Sequence, residues 1–338
     1  MAASPVIRPS RTRIRTDVRD QRFMNPLPKA ISLREVGPRD GLQNEEPIST
    51  DAKVVLIDAL SRTGVRRIEV VSFVHPAAIP QMADADEVWA RIERNPAVQY
   101  SALVPNSRGA NRALNAGFRE IEVVVSASDT HNRKNVNRST TESLRDIASI
   151  TEQVHNAGGT LEVIVSTAWG CPYEGDVSVE RVLDVAGQAV AAGADALTYG
   201  DTTGMATPTR VVDLVARTRQ ALSEVPLALH FHNTRGTGLA NLYAALQLGV
   251  TSFDASVGGL GGCPYAPGAT GNIATEEVVA MVEDMGISTG IDLNRLLDAA
   301  AFAQIAVGKR LPSNVLRAGP RSRLTPLETT VSLEGHAS

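Results

Sequence analysis

Residues 161–199, LEVIVSTAWGCPYEGDVSVERVLDVAGQAVAAGADALTY, contain the pattern that decides the fold. A β-branched run, Leu161–Ser166, is followed by a helical stretch over 178–192 and by a second short run, Ala196–Tyr199. Gly193 lies between the helix and the second run, where a residue in the left-handed conformation commonly ends a helix. The segment therefore predicts one strand–helix–strand unit of a parallel sheet.

The same alternation recurs from residue 31 to residue 290. The predicted strands are Ile31–Val36, Arg67–Phe73, Tyr100–Val104, Ile121–Ser126, Leu161–Ser166, Ala196–Tyr199, Leu227–His232 and Ser252–Ser256. A helical pattern follows each strand, for example over 52–62, 107–116, 142–157, 178–192, 208–223, 236–248 and 275–285. Eight strands, each followed by a helix, predict an α/β protein with one closed (β/α)8 TIM barrel. A doubly wound open sheet is the alternative, but it needs a glycine-rich fingerprint after the first strand, which the sequence lacks.

Local residues mark the ends of the predicted helices. Side chains suited to the N-cap are Asn106, Thr141, Ser178 and Thr275. Glycines that suit the C-terminal side of a helix stand at 64, 117, 158, 193 and 249. The stretch 292–310 predicts extra C-terminal helix packed on the barrel.

The composition excludes several classes of protein. The chain has 338 residues, of which 43% are hydrophobic and 21% charged, with a formal net charge of -4. It contains no run of about 18 apolar residues, which excludes a membrane span. Two cysteines cannot form a disulfide framework and indicate a reducing compartment, so we predict a cytoplasmic protein.

The charge is unevenly distributed. Residues 1–29 hold seven basic and two acidic residues, a local charge of +5, so the remaining chain carries -9. Because this part of the chain is so acidic, we predict that it does not bind nucleic acid.

The basic segment 1–29 lacks the apolar core of a secretory signal, and we predict that it is a disordered extension. A mitochondrial presequence is the alternative, although two aspartates count against it. The predicted organisation is an extension over 1–29, a barrel domain over 30–310 and a tail over 311–338.

Unusual polar residues lie where the predicted strands end, which is where barrel enzymes build their sites. His230 and His232 are two apart on one strand, so both imidazoles project to the same face. A pair of satisfied core histidines is the alternative interpretation. Asp40 and the amide oxygen of Asn272 complete a ligand set that predicts Mg²⁺ or Mn²⁺. Zinc held by Cys171 or Cys263 with the histidines is the competing site.

Other residues at these ends have predicted roles in catalysis or binding. Arg39 is placed to hold a developing oxyanion. Glu69, in an apolar strand, is costly unless paired, and Arg39 is its predicted partner. Cys263 lies in a loop with six glycines between 258 and 271, which predicts a lid that carries a proton-exchanging thiol. Substrate contacts are predicted for Gln43, Asp201 and Thr202.

These residues together resemble the 3-hydroxy-3-methylglutaryl-CoA lyase family over about residues 30–310. The resemblance rests on VGPRDGLQN (36–44), IEVVSFV (68–74), PQM (80–82), KNVN (134–137), GCPYEG (170–175), GDT (200–202), HFH (230–232) and GLGGCPYAPGATGNIATE (259–276). It implies a metal-dependent TIM barrel that cleaves an acyl-CoA into acetyl-CoA and acetoacetate. The metal ligands would be Asp40, His230, His232 and Asn272. Arg39 would stabilise the enolate, and Cys263 would assist proton transfer, while Asp40 and His230 both stand as the general base.

Two positions depart from the family pattern. Asn233 follows the second histidine where the family often has Asp, and Glu46 stands where a basic residue is common. They leave open a longer or differently branched 3-hydroxyacyl-CoA as substrate. A Claisen-condensing enzyme of the isopropylmalate-synthase kind and a non-catalytic metal-binding barrel are the rival functions. The predicted partners are an acyl-CoA substrate and a second copy of the chain, in a homodimer or a higher homo-oligomer.

Overall fold

The computed structural model describes residues 26–262 and 271–324. Eight parallel strands close a barrel in chain order, with β8 paired to β1. The strands are β1 Ser32–Glu35, β2 Arg67–Ser72, β3 Gln99–Val104, β4 Glu120–Ser126, β5 Thr160–Ser166, β6 Ala196–Gly200, β7 Leu227–His230 and β8 Ser252–Ala255. The predicted (β/α)8 barrel is confirmed.

Helices surround the barrel. They are α1 Thr50–Ser61, α2 Ala85–Arg91, α3 Ser107–Ala116, α4 Asp129–Val136, α5 Thr140–Asn156, α6 Val179–Ala191, α7 Pro208–Ala221, α8 Gly238–Gln247, α9 Thr275–Asp284, α10 Leu293–Val307 and α11 Asn314–Ala318. The predicted extra helix over 292–310 is α10. Residues 311–318, which the sequence analysis assigned to the tail, contain α11, and Leu311 is buried. None of the helices that the structure describes has the length and hydrophobicity that a membrane span requires.

Two of the four predicted N-caps are confirmed. The side chain of Asn106 accepts a hydrogen bond from the Gly109 amide, and that of Ser178 accepts one from the Arg181 amide. The predicted glycines 64, 117, 158, 193 and 249 all have positive φ, as expected for residues that follow a helix.

The other two N-cap predictions are wrong. Thr141 lies inside the first turn of α5, because Ser139 caps that helix through a reciprocal pair of hydrogen bonds with Glu142. Thr275 is the first residue of α9, and its hydroxyl donates to Glu35 Oε2 at 2.6 Å. A tertiary partner has therefore taken the hydroxyl that would have capped its own helix.

Strand β7 ends at His230, two residues earlier than predicted. Beyond it, the carbonyl of Phe231 accepts a hydrogen bond from the Ile273 amide at 3.2 Å, and His232 pairs with Asn272 in an isolated bridge. The chain thus leaves β8 and pairs with the segment before α9. This exchange brings Asn272 beside the two histidines.

The interior has two parts of different character. The layer between strands and helices is apolar and includes the fully buried Ile121, Leu161 and Phe253. The inside of the barrel is charged, with Arg34 and Glu122 among its buried side chains. Because burying an unpaired charge is costly, these side chains must pair with one another.

Candidate functional site

A tight turn after β1 places Arg39 and Asp40 at the mouth of the barrel. Residues Gly37–Gly41 form a single π-helical turn in which the amide of Asp40 donates to the Val36 carbonyl at 2.8 Å. A Cβ on Gly37 would lie 2.7 Å from Glu35 Oε1, so only glycine fits there. The turn explains how two adjacent side chains both reach the site.

Asp40, His230 and His232 converge at the same end of the barrel. One ligand atom from each lies within 4.8 Å of the others. The two Nε2 atoms of the histidines are 3.1 Å apart, and His230 Nε2 is 3.9 Å from Asp40 Oδ2. Nitrogen and carboxylate ligands in this arrangement suit a divalent cation.

Asn272 contributes a carbonyl oxygen that has no hydrogen-bond partner in the described part of the chain. Its Nδ2 donates to Asp40 Oδ2 at 2.8 Å and to the Leu260 carbonyl at 3.1 Å. Its Oδ1 is buried and makes no hydrogen bond within the described residues. A buried acceptor left unpaired costs free energy, and a cation at the cluster would satisfy it. The donor set therefore fits a metal ion.

Ion pairs surround the cluster in two groups. In one, Arg39 pairs with Asp40 and Glu69. In the other, two arginines pair with three carboxylates deeper in the barrel, and the members are Arg34, Arg67, Glu122, Glu162 and Asp254. Asp40 belongs both to the first group and to the cluster.

The zinc alternative finds no support at Cys171. The thiol of Cys171 is buried and donates to Ser128 Oγ at 2.9 Å. Among residues 26–262 and 271–324, the group of side chains placed to hold a metal consists of Asp40, His230 and His232 without a cysteine. The prediction for Cys263 lies outside the described residues.

Arg39 is held by two carboxylates. Its Nε donates to Glu69 Oε1 at 2.6 Å and its Nη1 to Asp40 Oδ1 at 2.8 Å. The pairing of Arg39 with Glu69 that the sequence predicted is present. Nη2 makes no hydrogen bond to the described part of the chain, so it is free to meet a substrate oxygen.

The local charges set the protonation of the cluster. Burial would raise the pKa of Asp40, but Arg39 and the two histidines outweigh it and lower the pKa to about 2. Burial and the charge of His230 lower the pKa of His232 to about 3. Asp40 is therefore ionised and His232 neutral at pH 7, which is the state that metal ligands require.

Of the three predicted substrate contacts, Asp201 has the most informative surroundings. Its Oδ1 accepts from the amides of Met205 and Ala206 at 2.8 and 3.0 Å, whereas its Oδ2 is buried without a partner in the described structure. Burial raises the pKa of Asp201 to about 6. Thr202 Oγ1 accepts from the Thr167 amide at 2.9 Å. Gln43 is half-buried, one turn after Asp40. Whether these residues touch substrate stays a prediction.

The flanks of the glycine-rich loop are fixed beside the cluster. The amide of Gly271 donates to the Gly261 carbonyl at 3.2 Å, so the two ends of the loop lie together. Asn44 Nδ2 also reaches the Gly262 carbonyl at 3.4 Å. Gly261 and Gly271 therefore lie together beside Asn272.

The two departures from the family pattern lie in different surroundings. Asn233 Oδ1 accepts a hydrogen bond from the Gly238 amide at 3.1 Å, and the backbone N–H of Asn233 donates to the Gly271 carbonyl at 2.6 Å. Asn233 thus joins the start of α8 to the flank of the glycine-rich loop. Glu46 is exposed.

Sequence reasoning missed two residues that support the cluster, Arg34 and Asp254. Asp254 Oδ2 lies 3.2 Å from His230 Nδ1, and Arg34 holds the same carboxylate. Each is a charged residue inside a predicted strand, so the argument that predicts a partner for Glu69 applies to both of them.

Comparisons with known proteins agree with this site. A family model described as HMGL-like matches residues 30–303. The chain is 48% identical over 293 residues to the hydroxymethylglutaryl-CoA lyase YngG of Bacillus subtilis, covering 86% of this chain and 98% of the relative. It is 44% identical over 303 residues to the (R)-citramalyl-CoA lyase of Chloroflexus aurantiacus, covering 86% and 96%.

A solved structure also matches this chain over most of its length. The HMG-CoA lyase of Acinetobacter baumannii, in complex with coenzyme A and 3-methylmalate, superposes with a TM-score of 0.85 at 42% identity. The match covers 90% of this chain and 100% of that one. The chain therefore belongs to the HMGL-like family.

Proposed function

We propose that this chain is a hydroxymethylglutaryl-CoA lyase, a carbon–carbon lyase that converts 3-hydroxy-3-methylglutaryl-CoA to acetyl-CoA and acetoacetate. The observation that carries the proposal is the convergence of Asp40, His230 and His232 with the Arg39 guanidinium, whose Nη2 bonds none of the described residues. The identity of 48% to a lyase of that name supports the same reaction.

The cluster is proposed to hold Mg²⁺ or Mn²⁺. Asp40, His230, His232 and Oδ1 of Asn272 would be its ligands, and the unpaired Oδ1 supports this assignment. When bound, the ion would supply Lewis acidity to the substrate oxygens.

The reaction breaks the bond between C2 and C3 of the acyl group. The C3 hydroxyl loses its proton, the bonding pair moves toward the thioester, and C3 becomes the keto carbon of acetoacetate. The departing fragment is the enolate of acetyl-CoA, whose C2 then takes up a proton. Arg39 is placed to donate from Nη2 to the thioester oxygen as negative charge develops there.

We propose Asp201 as a third candidate proton acceptor, beside the two that the sequence predicts. Asp40 is a weak base, because its pKa lies at about 2. The Nδ1 of His230 is already engaged by Asp254. Oδ2 of Asp201 is buried and has no partner among the described residues, and its pKa is about 6, so Asp201 is largely ionised at pH 7 and able to accept a proton. Asp201 joins His230 and Asp40 as a residue to test.

Cys263 is proposed to return the proton to C2. Cys263→Ser should lose most of its turnover while it binds acyl-CoA and Mn²⁺ normally, because serine is a much poorer acid. Cys171→Ser is the matched control, since the Cys171 thiol is buried against Ser128. An inactive Cys171→Ser beside a fully active Cys263→Ser would overturn this role.

A substrate panel tests the proposed function. The purified protein with Mg²⁺ is offered hydroxymethylglutaryl-CoA, a longer 3-hydroxyacyl-CoA and citramalyl-CoA, which lacks one methylene and yields pyruvate instead of acetoacetate. We expect the highest kcat/KM for hydroxymethylglutaryl-CoA. A tenfold preference for either analogue would replace the proposed substrate and keep the bond cleavage, whereas no cleavage of any of them would contradict the function.

The cytoplasmic location and the homo-oligomeric state remain predictions. The acyl-CoA partner is part of the proposal, supported by the coenzyme A in the complex of the Acinetobacter baumannii enzyme. Size-exclusion chromatography with light scattering would determine the oligomeric state.

A further inference from the structure

A buried arginine lies beneath the metal cluster, inside the barrel. Arg34 is 1% exposed and forms ion pairs with Glu122 at 2.6 Å and Glu162 at 2.9 Å. It also donates from Nε and Nη2 to the two oxygens of Asp254 at 2.9 and 2.8 Å. Two parallel bonds of this kind fix both the position and the plane of the Asp254 carboxylate.

Asp254 in turn contacts a residue of the cluster. Its Oδ2 lies 3.2 Å from His230 Nδ1. The opposite ring nitrogen, Nε2, faces His232 at 3.1 Å and Asp40 at 3.9 Å. A carboxylate at Nδ1 accepts the proton of that nitrogen and so leaves the lone pair of Nε2 for a metal.

These three residues are held in line by the sheet. Arg34 is paired in register with Asp254 across β1 and β8, and Asp254 is paired with His230 across β8 and β7. Ladder positions on adjacent strands are more rigid than positions on loops. The backbone positions of all three residues are therefore fixed by the barrel itself.

From this geometry we propose that Asp254, held by Arg34, is a positioning residue. It keeps the proton of His230 on Nδ1 and aims Nε2 at the site shared with Asp40 and His232. The inference rests on the proposed metal site but not on the identity of the acyl-CoA substrate.

The same network provides a matched control. Glu162 is also buried, pairs with the same Nη2 of Arg34, and bonds Arg67 at 2.6 Å and Thr198. Its partners are the two arginines and Thr198, and it contacts no member of the cluster among the described residues. A variant at Glu162 therefore measures the cost of disturbing Arg34 without touching His230.

The test measures Mn²⁺ affinity without substrate, by calorimetry, in Asp254→Asn and Glu162→Gln. In Asp254→Asn one carboxylate oxygen becomes an NH₂ group, which faces either Arg34 or His230 and cannot accept a hydrogen bond. One of the bonds to these two residues is therefore lost, and His230 can take the other tautomer. We expect Asp254→Asn to bind Mn²⁺ roughly 10- to 100-fold more weakly and Glu162→Gln to stay within about threefold of the wild type. Equal losses in both variants, or no loss in Asp254→Asn, would overturn the proposal.

A second measurement does not depend on either variant folding. In wild-type protein labelled with ¹⁵N-histidine and loaded with Mg²⁺, the ring of His230, assigned by comparison with His230→Gln, should carry its proton on Nδ1. A proton on Nε2 would overturn the proposal. Wild-type protein that binds Mn²⁺ normally but cleaves no acyl-CoA contradicts the proposed function alone, whereas protein that binds no Mn²⁺ contradicts both.

Discussion

Arg39 divides its hydrogen bonds between two carboxylates with different tasks. Glu69, fully buried at the end of a 2.6 Å bond, fixes the plane of the guanidinium, while Asp40 belongs to the metal cluster. The remaining Nη2, which bonds none of the described residues, is the donor that we propose for the substrate. Because the donor is already oriented before the reaction, it can stabilise the transition state without reorganising.

Arg39→Gln should therefore act mainly on turnover. We expect kcat to fall by on the order of 10²–10³-fold, since an oxyanion donor acts in the transition state. Mn²⁺ affinity should not weaken, because the substitution removes a positive charge beside Asp40. Steady-state kinetics and calorimetry check the two parts, with the exposed Arg62→Gln as control. A raised KM with unchanged kcat would reduce Arg39 to a binding residue.

At the scale of elements, Glu35 joins three segments around the mouth of the barrel. Its Oε1 accepts from the amides of Gly37 and Val257 at 2.8 Å each, and its Oε2 accepts from Thr275 at 2.6 Å. The turn after β1, the turn after β8 and the start of α9 are thus tied to one side chain. Burial nevertheless raises the pKa of Glu35 from 4.5 to about 7, against the effect of these hydrogen bonds.

This carboxyl should make stability depend on pH. Since the folded pKa is the higher one, the stabilisation from protonated Glu35 is complete below pH 4.5 and is lost as pH rises through 7. In Glu35→Gln that loss disappears, so the wild type should lose up to about 3 kcal/mol more than the variant between pH 5 and pH 8. Urea denaturation at several pH values measures the difference, with exposed Glu46→Gln as control. Parallel pH profiles of wild type and Glu35→Gln would contradict it.

The N-terminus of α5 offers a test at the same scale. Ser139 and Glu142 form the capping box, with bonds of 3.1 and 2.7 Å, whereas Thr141 lies exposed in the first turn. Ser139→Ala should cost about 1 kcal/mol of unfolding free energy, and Thr141→Ala less than about 0.5 kcal/mol. Thermal denaturation ranks the two variants. The reverse order would restore Thr141 as the cap.

For the whole molecule, periodicity predicted the barrel because alternating strands and helices have few packing solutions. It missed α4, Asp129–Val136, whose sequence DTHNRKNV carries almost no apolar residues and which is defined by the Ser128 cap and the left-handed Asn137. Helices without an apolar stripe leave no periodic signal.

The cluster was accessible from sequence because strand ends in a barrel converge, so Asp40 and His230 could be placed together without coordinates. The pairing between Arg34 and Asp254 was not, since it depends on the register in which β8 meets β1 when the barrel closes, and periodicity does not determine that register. A residue 220 positions away in the chain became the partner of Arg34. Closure of the barrel, not local pattern, determines that contact.

We propose that Asp40, His230 and His232 hold a divalent metal that cleavage requires. Acetoacetate formation from hydroxymethylglutaryl-CoA is measured with chelator-treated protein, before and after addition of Mn²⁺ or Mg²⁺, in the wild type and in His232→Ala. We expect no product before addition, full recovery in the wild type and little recovery in His232→Ala. Full activity in the metal-free wild type would contradict it.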